Sequence, residues 1–292
     1  MKRGERIRGA LFGVACGDAL GGTLEFTSKS KGEKLYGYHK EIIGGGAMHL
    51  KPGDITDDTI MTMAVAEGII ENPENPIEAI GRRFVDWYLT GPIDIGNTCS
   101  DAISKYIQSG SWEAASLYVD KITGGRTAGN GTLMRCIAPA LFYRGYEKMI
   151  SVTRAQSEMT HYDKQASEAC TLYNTIIYKY LAGEDKEKAV LDTLKENKKY
   201  ESVFQINKDE LHPSGYVVDS FKCALWAFLN HSNVEDIICA AVNLYGDPDT
   251  IGAITGGLAG TYYGYNAIPE RWRNKLIVKE KLMLISEKLN QD

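Results

Sequence analysis

The chain of 292 residues is 43% hydrophobic, enough for a sizeable core, and its formal net charge of −5 is not offset by any basic stripe. That balance excludes a nucleic-acid binder working through counterion release, while leaving room for a phosphate held by local amides or by metals. Six cysteines, at 16, 99, 136, 170, 223 and 239, are scattered without a C-x-x-C pair, which predicts reduced core thiols and a cytoplasmic location.

The opening "MKRGERIRGALFG" lacks an uninterrupted apolar stretch with a small-residue cleavage site, and no run of eighteen apolar residues follows, so neither export nor a membrane span is expected. Helical periodicity starts at 5–20. Within it, "GVACGDALGGTLEF" places Gly13, Gly17, Gly21 and Gly22 where a backbone must approach a neighbour, with Asp18 and Glu25 supplying carboxylates at the end of the helix. Residues 28–56 read as a loop. Residues 57–70 carry Ile60, Met63, Ala64, Ala66, Ile69 and Ile70 on a broad stripe, and 78–90 repeat the pattern through Ala79, Phe84, Trp87 and Tyr88. Further helices are predicted at 98–108, 112–119, 131–144, 163–182, 186–196, 217–230, 234–244, 250–263 and 274–289, with loops at 91–97, 120–130 and 197–216. Period-two alternation is hard to find and no low-complexity linker divides the chain. The expectation is therefore an all-α, single multi-helix domain over 1–292 whose helices, rich in small residues, pack closely. The four tryptophans, 87, 112, 226 and 272, read as packing, and "EDKEKAVLDTLKENKKYE" as a solvated helix face.

Two acidic clusters stand apart from this pattern. "GDITDDTIM" sets Asp57 and Asp58 between Thr56 and Thr59, and "GDPDTIG" sets Asp247 and Asp249 beside Thr250. One short polar side chain suffices to cap a helix, yet each cluster brings two carboxylates and a hydroxyl. Neighbouring carboxylates repel unless a cation neutralises them. Oxygen ligands without His or Cys favour a hard ion, Mg²⁺ or Mn²⁺ over Zn²⁺, and the number of donors favours two divalent cations about 3.5–4 Å apart. A further segment, "GGRTAGNGTLMR", strings Gly124, Gly125, Gly129 and Gly131 ahead of a predicted helix, where amides and a helix terminus would face a diphosphate; an ordinary glycine turn is the plain alternative.

The ordered segments "GDALGGTLEF", "KPGDITDDTIM", "GPIDIGNT", "GNGTLMR", "MTHYDKQA", "SGYVVDS" and "GDPDTIGAITGGLAG", spanning about residues 7–264, resemble the ADP-ribosylglycohydrolase family, and within it the bacterial dinitrogenase-reductase-activating type. The resemblance implies an all-α fold, a dinuclear Mg²⁺ or Mn²⁺ centre, and removal of ADP-ribose from a modified protein side chain, arginine first and serine or another O-linked acceptor second. By position, it implies metal ligation by Thr56, Asp57, Asp58, Asp247, Asp249 and Thr250. Glu25 matches a glutamate near the metals in relatives acting on O-linked substrates. Asp94, Gly96 and Asn97 match a loop beside the scissile ribose, Gly129, Asn130, Gly131 and Met134 a diphosphate and ribose cradle, and His161 and Tyr216 the adenine-ribose end. Asp94 also reads as a cap for the helix starting near Asn97, and His161 and Tyr216 as ordinary structural residues.

The expected chemistry is hydrolysis at ribose C1″, with water activated at the metals and Asp94 or Asp58 protonating the leaving group. The expected partners are an ADP-ribosylated protein and the ADP-ribose product, with no nucleic acid and no membrane. Nothing signals assembly, so a monomer is the default. Two rival readings fit parts of the pattern: a two-metal hydrolase of another nucleotide, and a catalytically silent ADP-ribose binder.

Overall fold

The glycine spacing near the N-terminus sets the architecture. The structure, a computed structural model, describes residues 1–290. In chain order its helices are α1 (Arg3–Gly21), α2 (Lys29–Tyr36), α3 (Asp57–Glu71), α4 (Ile77–Tyr88), α5 (Asn97–Ser109), α6 (Trp112–Thr123), α7 (Ala138–Phe142) and α8 (Tyr146–Glu158). There follow α9 (Lys164–Leu181), α10 (Lys186–Leu194), α11 (Val217–Asn230), α12 (Val234–Val242), α13 (Pro248–Tyr263), α14 (Glu270–Arg273) and α15 (Lys279–Leu289). Among the described residues there is no strand, only the isolated antiparallel bridges Gly45–Leu50 and Gly129–Tyr216. No described helix is long and apolar enough to cross a membrane.

Helices α1 and α13 are buried along most of their length and lie antiparallel with their backbones almost touching. Gly9 faces Gly260, Gly13 faces Gly256, Gly17 faces Gly252, and Gly21 faces Pro248. A Cβ built on Gly13 would come within 2.0 Å of the Gly256 carbonyl oxygen, and one on Gly17 equally close to that of Gly252. No side chain fits there, so the four-residue spacing of glycine is a requirement of the pair. Its consequence reaches the other end of the chain: the C-terminus of α1, with Asp18 and Glu25 nearby, is held beside the N-terminus of α13, with Asp247, Asp249 and Thr250. The turn into α13 uses two left-handed residues, Tyr245 (φ 66°) and Gly246 (φ 82°), before Pro248 starts the helix.

Helix α3 is tied to the same corner. Its N-cap Thr56 accepts from the Asp58 amide at 3.4 Å, and Asp18 of α1 accepts from the amides of Thr56 and Thr59 at 3.0 and 3.1 Å. One apolar cluster runs from Ile7 to Leu289 around these three helices, with a smaller satellite around Trp226, Leu244 and Ile251. All six cysteines are buried and unpaired.

Several segments depart from the sequence reading. The stretch 28–56 contains α2, whose Gly32 packs on the Tyr245 ring. The predicted helix 131–144 is a 3₁₀ turn at Asn130–Thr132, then turns, then the short α7. The glycine segment therefore leads into no long helix, and Gly124 and Gly125 belong to the left-handed C-terminus of α6. The predicted helix 274–289 starts only at Lys279, after α14 and a break. The loop 197–216 contains two 3₁₀ turns, and helix α8 was not anticipated at all.

Candidate active site

The corner where α1, α3 and α13 meet opens into a cavity of about 450 Å³. Glu25, Asp57, Asp58, Asp94, Gly96, Asn97, Gly129, Asn130, Gly131, Met134, His161, Asp247, Asp249 and Thr250 all line it, so fourteen of the sixteen residues that the resemblance assigns to the site come together. The other two lie just outside. Thr56 sits behind Asp58 and donates to its Oδ2 at 3.1 Å. Tyr216 is half-exposed, its hydroxyl donating to Gln165 Oε1 at 2.7 Å, while its backbone pairs with Gly129.

Six carboxylates line this one cavity, and no Lys or Arg does. Burial raises the Asp58 carboxyl well above its usual range, helped by Asp18 and Asp57; Asp249 rises similarly through burial, Glu25 and Asp58. Glu25 is pushed up to about 8 by burial and then by Asp247, and Asp57 to about 7 by burial and then by Asp94. Burial also raises Asp94, with Asp247 second. Behind them, burial raises Asp18 to about 6 even though the Thr59 and Thr56 donors favour its charged form.

These residues fit a hard cation. Asp58 Oδ1 and Glu25 Oε2 are buried without a hydrogen-bond partner, which is costly unless something positive fills the gap. Oxygens of Glu25, Asp247 and Asp249 lie within 4.8 Å of one another, an acidic group able to hold a metal ion. The sequence reading set Glu25 apart from the ligands; the fold brings its carboxylate beside those of Asp247 and Asp249. Thr250 donates weakly to Asp58 Oδ2 at 3.5 Å, linking the two acidic clusters across α3 and α13.

The opposite wall is neutral. The Asn130 side-chain amide donates to Ser220 Oγ and Asp247 Oδ2, both at 2.8 Å, and its backbone amide donates to the Gly215 carbonyl at 3.0 Å. Gly129 and Gly131 lie against the His161 ring. His161 is buried, and burial followed by the nearby Arg135 charge lowers its pKa to about 3, leaving the ring neutral.

Arg135 was missed from sequence, although it follows Met134 directly as a lone cation in an apolar run. It is fully buried and donates to Gln156 Oε1 at 3.1 Å, the Gln156 carbonyl at 3.0 Å and Thr160 Oγ1 at 2.9 Å. Thr160 Oγ1 lies 2.8 Å from His161 Nδ1. An arginine can only donate, so the Thr160 hydroxyl accepts from it. Its contact with Nδ1 holds the ring so that Nε2 is the nitrogen beside the glycines. Phe26, Ile95, Thr98, Cys99 and Gly215 also line the cavity without having been marked; Phe26 is a left-handed, exposed residue (φ 56°) at its mouth.

The chain is 33% identical over 303 residues to ADP-ribosylarginine hydrolase Tri1 of Serratia proteamaculans, covering 98% of this chain and 79% of that protein. It is 33% identical over 276 residues to ADP-ribosyl-(dinitrogen reductase) glycohydrolase of Rhodospirillum rubrum, covering 94% and 91%. A solved structure described as an ADP-ribosylglycohydrolase-related protein complex superimposes with a TM-score of 0.86 at 31% identity, over 99% of this chain and 98% of that one. The family model for ADP-ribosylglycohydrolase matches residues 1–292 throughout. A match over the whole length and relatives at a third identity over nearly all of it agree, and this chain belongs to the ADP-ribosylglycohydrolase family.

Proposed function

We propose that this protein is a metal-dependent hydrolase that removes ADP-ribose from a modified arginine side chain, reversing mono-ADP-ribosylation. The observation that carries this reading is the cavity of six carboxylates without a lysine or arginine, floored by buried oxygens that have no partner. Asp57, Asp58, Asp247 and Asp249, with Thr56 and Thr250, would hold two Mg²⁺ or Mn²⁺ ions. Bound ions supply the positive charge that lets these carboxylates stay ionised side by side and polarises oxygen ligands.

The remaining steps belong to the chain's own residues. Gly129, Asn130, Gly131 and the neutral His161 take the ADP end, where small residues admit a close backbone approach beside the His161 ring. The ribose then lies over the acidic floor. As the C1″–N bond breaks, Asp94 gives a proton to the departing guanidine nitrogen, and Glu25 takes one from the water whose oxygen bonds to C1″. Asp94 suits the donor role better than Asp58, because it stands half-buried on the cavity wall while Asp58 is already engaged by Thr56.

The test is hydrolysis of ADP-ribosyl-arginine with Mg²⁺ or Mn²⁺, followed as released ADP-ribose. Chelation should abolish turnover. Asp58→Asn and Asp249→Asn should each lower kcat/KM at least about 100-fold. A fully active Asp249→Asn enzyme would refute the assignment.

A further inference from the structure

A second cavity of about 520 Å³ shares a wall with the first: Asp57 and Asp94 line both. The two differ in character. The second is predominantly apolar, walled by Leu50, Ile55, Met63, Trp87, Ile93 and Ile277 among others. Two of these side chains are far more exposed than a monomer needs, Ile93 at 91% and Ile277 at 63%. They come from distant segments, the loop before α5 and the turn before α15, yet flank one groove. Its charged lining is acidic, with Asp54, Asp57 and Asp94 against Lys281 alone, and Lys281 is already paired with Glu67 at 3.0 Å.

We infer that this groove receives the polypeptide on the protein side of the bond to be cut: the segment carrying the ADP-ribosylated arginine, with an apolar residue within a few positions of it. The inference rests on the function proposed above and adds to it a determinant of substrate choice. Continuity decides the occupant. With the ADP end against Gly129, Asn130, Gly131 and His161 and the ribose over the carboxylates, the modified side chain leaves across the wall that the two cavities share, Asp57 and Asp94. Beyond that wall lies the groove. Its acidic edge complements a guanidinium, and its apolar floor offers burial to a neighbouring leucine or similar side chain. The loop 91–97 serves both sides at once, turning Asp94 toward the catalytic cavity while Ile93 stands beside the groove.

The test uses the full chain with Mn²⁺ and three substrates: free ADP-ribosyl-arginine, an arginine-ADP-ribosylated peptide with leucines flanking the arginine, and the same peptide with those leucines replaced by serine. The variants are Ile93→Ser and Ile277→Ser, both at exposed positions, with folding checked by circular dichroism. The parent should prefer the leucine peptide over the serine peptide by about tenfold in kcat/KM, mainly through KM. Each variant should erase that preference while staying within about twofold of the parent on ADP-ribosyl-arginine. Unchanged preference in both variants overturns the groove assignment and leaves the proposed activity standing. A parent that cleaves none of the three substrates overturns the activity and the groove together. A concentration-dependent dimer in sedimentation, lost in both variants, would make the groove a self-association face and equally overturn the inference.

Discussion

Arg135 shows how much one side chain can settle. It is a permanent cation in the core, and none of its hydrogen-bond partners is a carboxylate. Its charge is tolerated because the fork of donors is met by Gln156, Thr160 and the Cys99 sulfur, and because the guanidinium lies 4.7 Å from the Phe84 ring centre. A lysine keeps the charge but offers no planar fork. Arg135→Lys should therefore cost about 2–3 kcal/mol in urea unfolding, as buried acceptors lose their donors. The same network orients the His161 ring through Nδ1. Nitrogen chemical shifts should report a neutral ring down to about pH 5, since burial holds its pKa far below the ordinary value near 6.5. A ring that titrates near 6.5 would contradict the burial and the neighbouring Arg135 charge that hold it neutral.

At the scale of elements, the α1–α13 pair is where sequence and site are most tightly joined. Gly13→Ala would drive a methyl into the Gly256 carbonyl, so the helices must separate. Destabilisation of about 3 kcal/mol or more is expected in urea unfolding, together with at least tenfold weaker Mn²⁺ binding by calorimetry, because Glu25 lies in the turn that ends α1 while Asp249 opens α13. Gly145→Ser is the control: it lies at the N-cap of α8 with open space around it and should shift stability by no more than about 0.5 kcal/mol. The glycine spacing was legible in the sequence, while the partner helix was not, because nothing local says which remote glycines will answer. Helix α8 was illegible for a different reason. Its inward face is Met149, Val152, Thr153, Gln156 and Ser157, correctly spaced for a helix but half polar, so apolar periodicity never emerges. Those polar residues face inward partly because Gln156 serves Arg135. One buried network thus hid both the helix and the arginine it supports. Helix α2 escaped notice as an almost wholly exposed element that buries only Gly32.

For the whole molecule, the acidic centre is a load on the fold that bound cations would relieve. The clusters Asp57–Asp58 and Asp247–Asp249 could be read from sequence because adjacent carboxylates next to helix starts are electrostatically expensive; their convergence needed three dimensions. That cost has a pH signature. Glu25, at about 8, and Asp57, at about 7, have folded pKa values above their unfolded ones, so the protonated native form is favoured at low pH. Their contribution is complete below about pH 4 and is lost as pH rises through the folded values, because the unfolded chain then sheds protons more readily than the native one. His161 has the opposite sign: its contribution disappears as pH falls from about 6.5 toward 3, and it is complete above that window. Between about pH 6.5 and 8.5 the carboxyl effect therefore acts alone among these groups. Metal-free protein should lose at least about 1.4 kcal/mol over this interval, a fall in Tm of roughly 3 °C or more. Saturating Mg²⁺ or Mn²⁺ should flatten the slope, with a stabilisation larger at pH 8.5 than at 6.5, since ions bind the deprotonated site and displace its protons. Scanning calorimetry at the two pH values, with chelator and with about 1 mM Mn²⁺, measures both effects. A metal-free Tm that rises across the interval, or an ion that leaves Tm unchanged at the higher pH, would mean that these carboxylates are not gathered around a cation site.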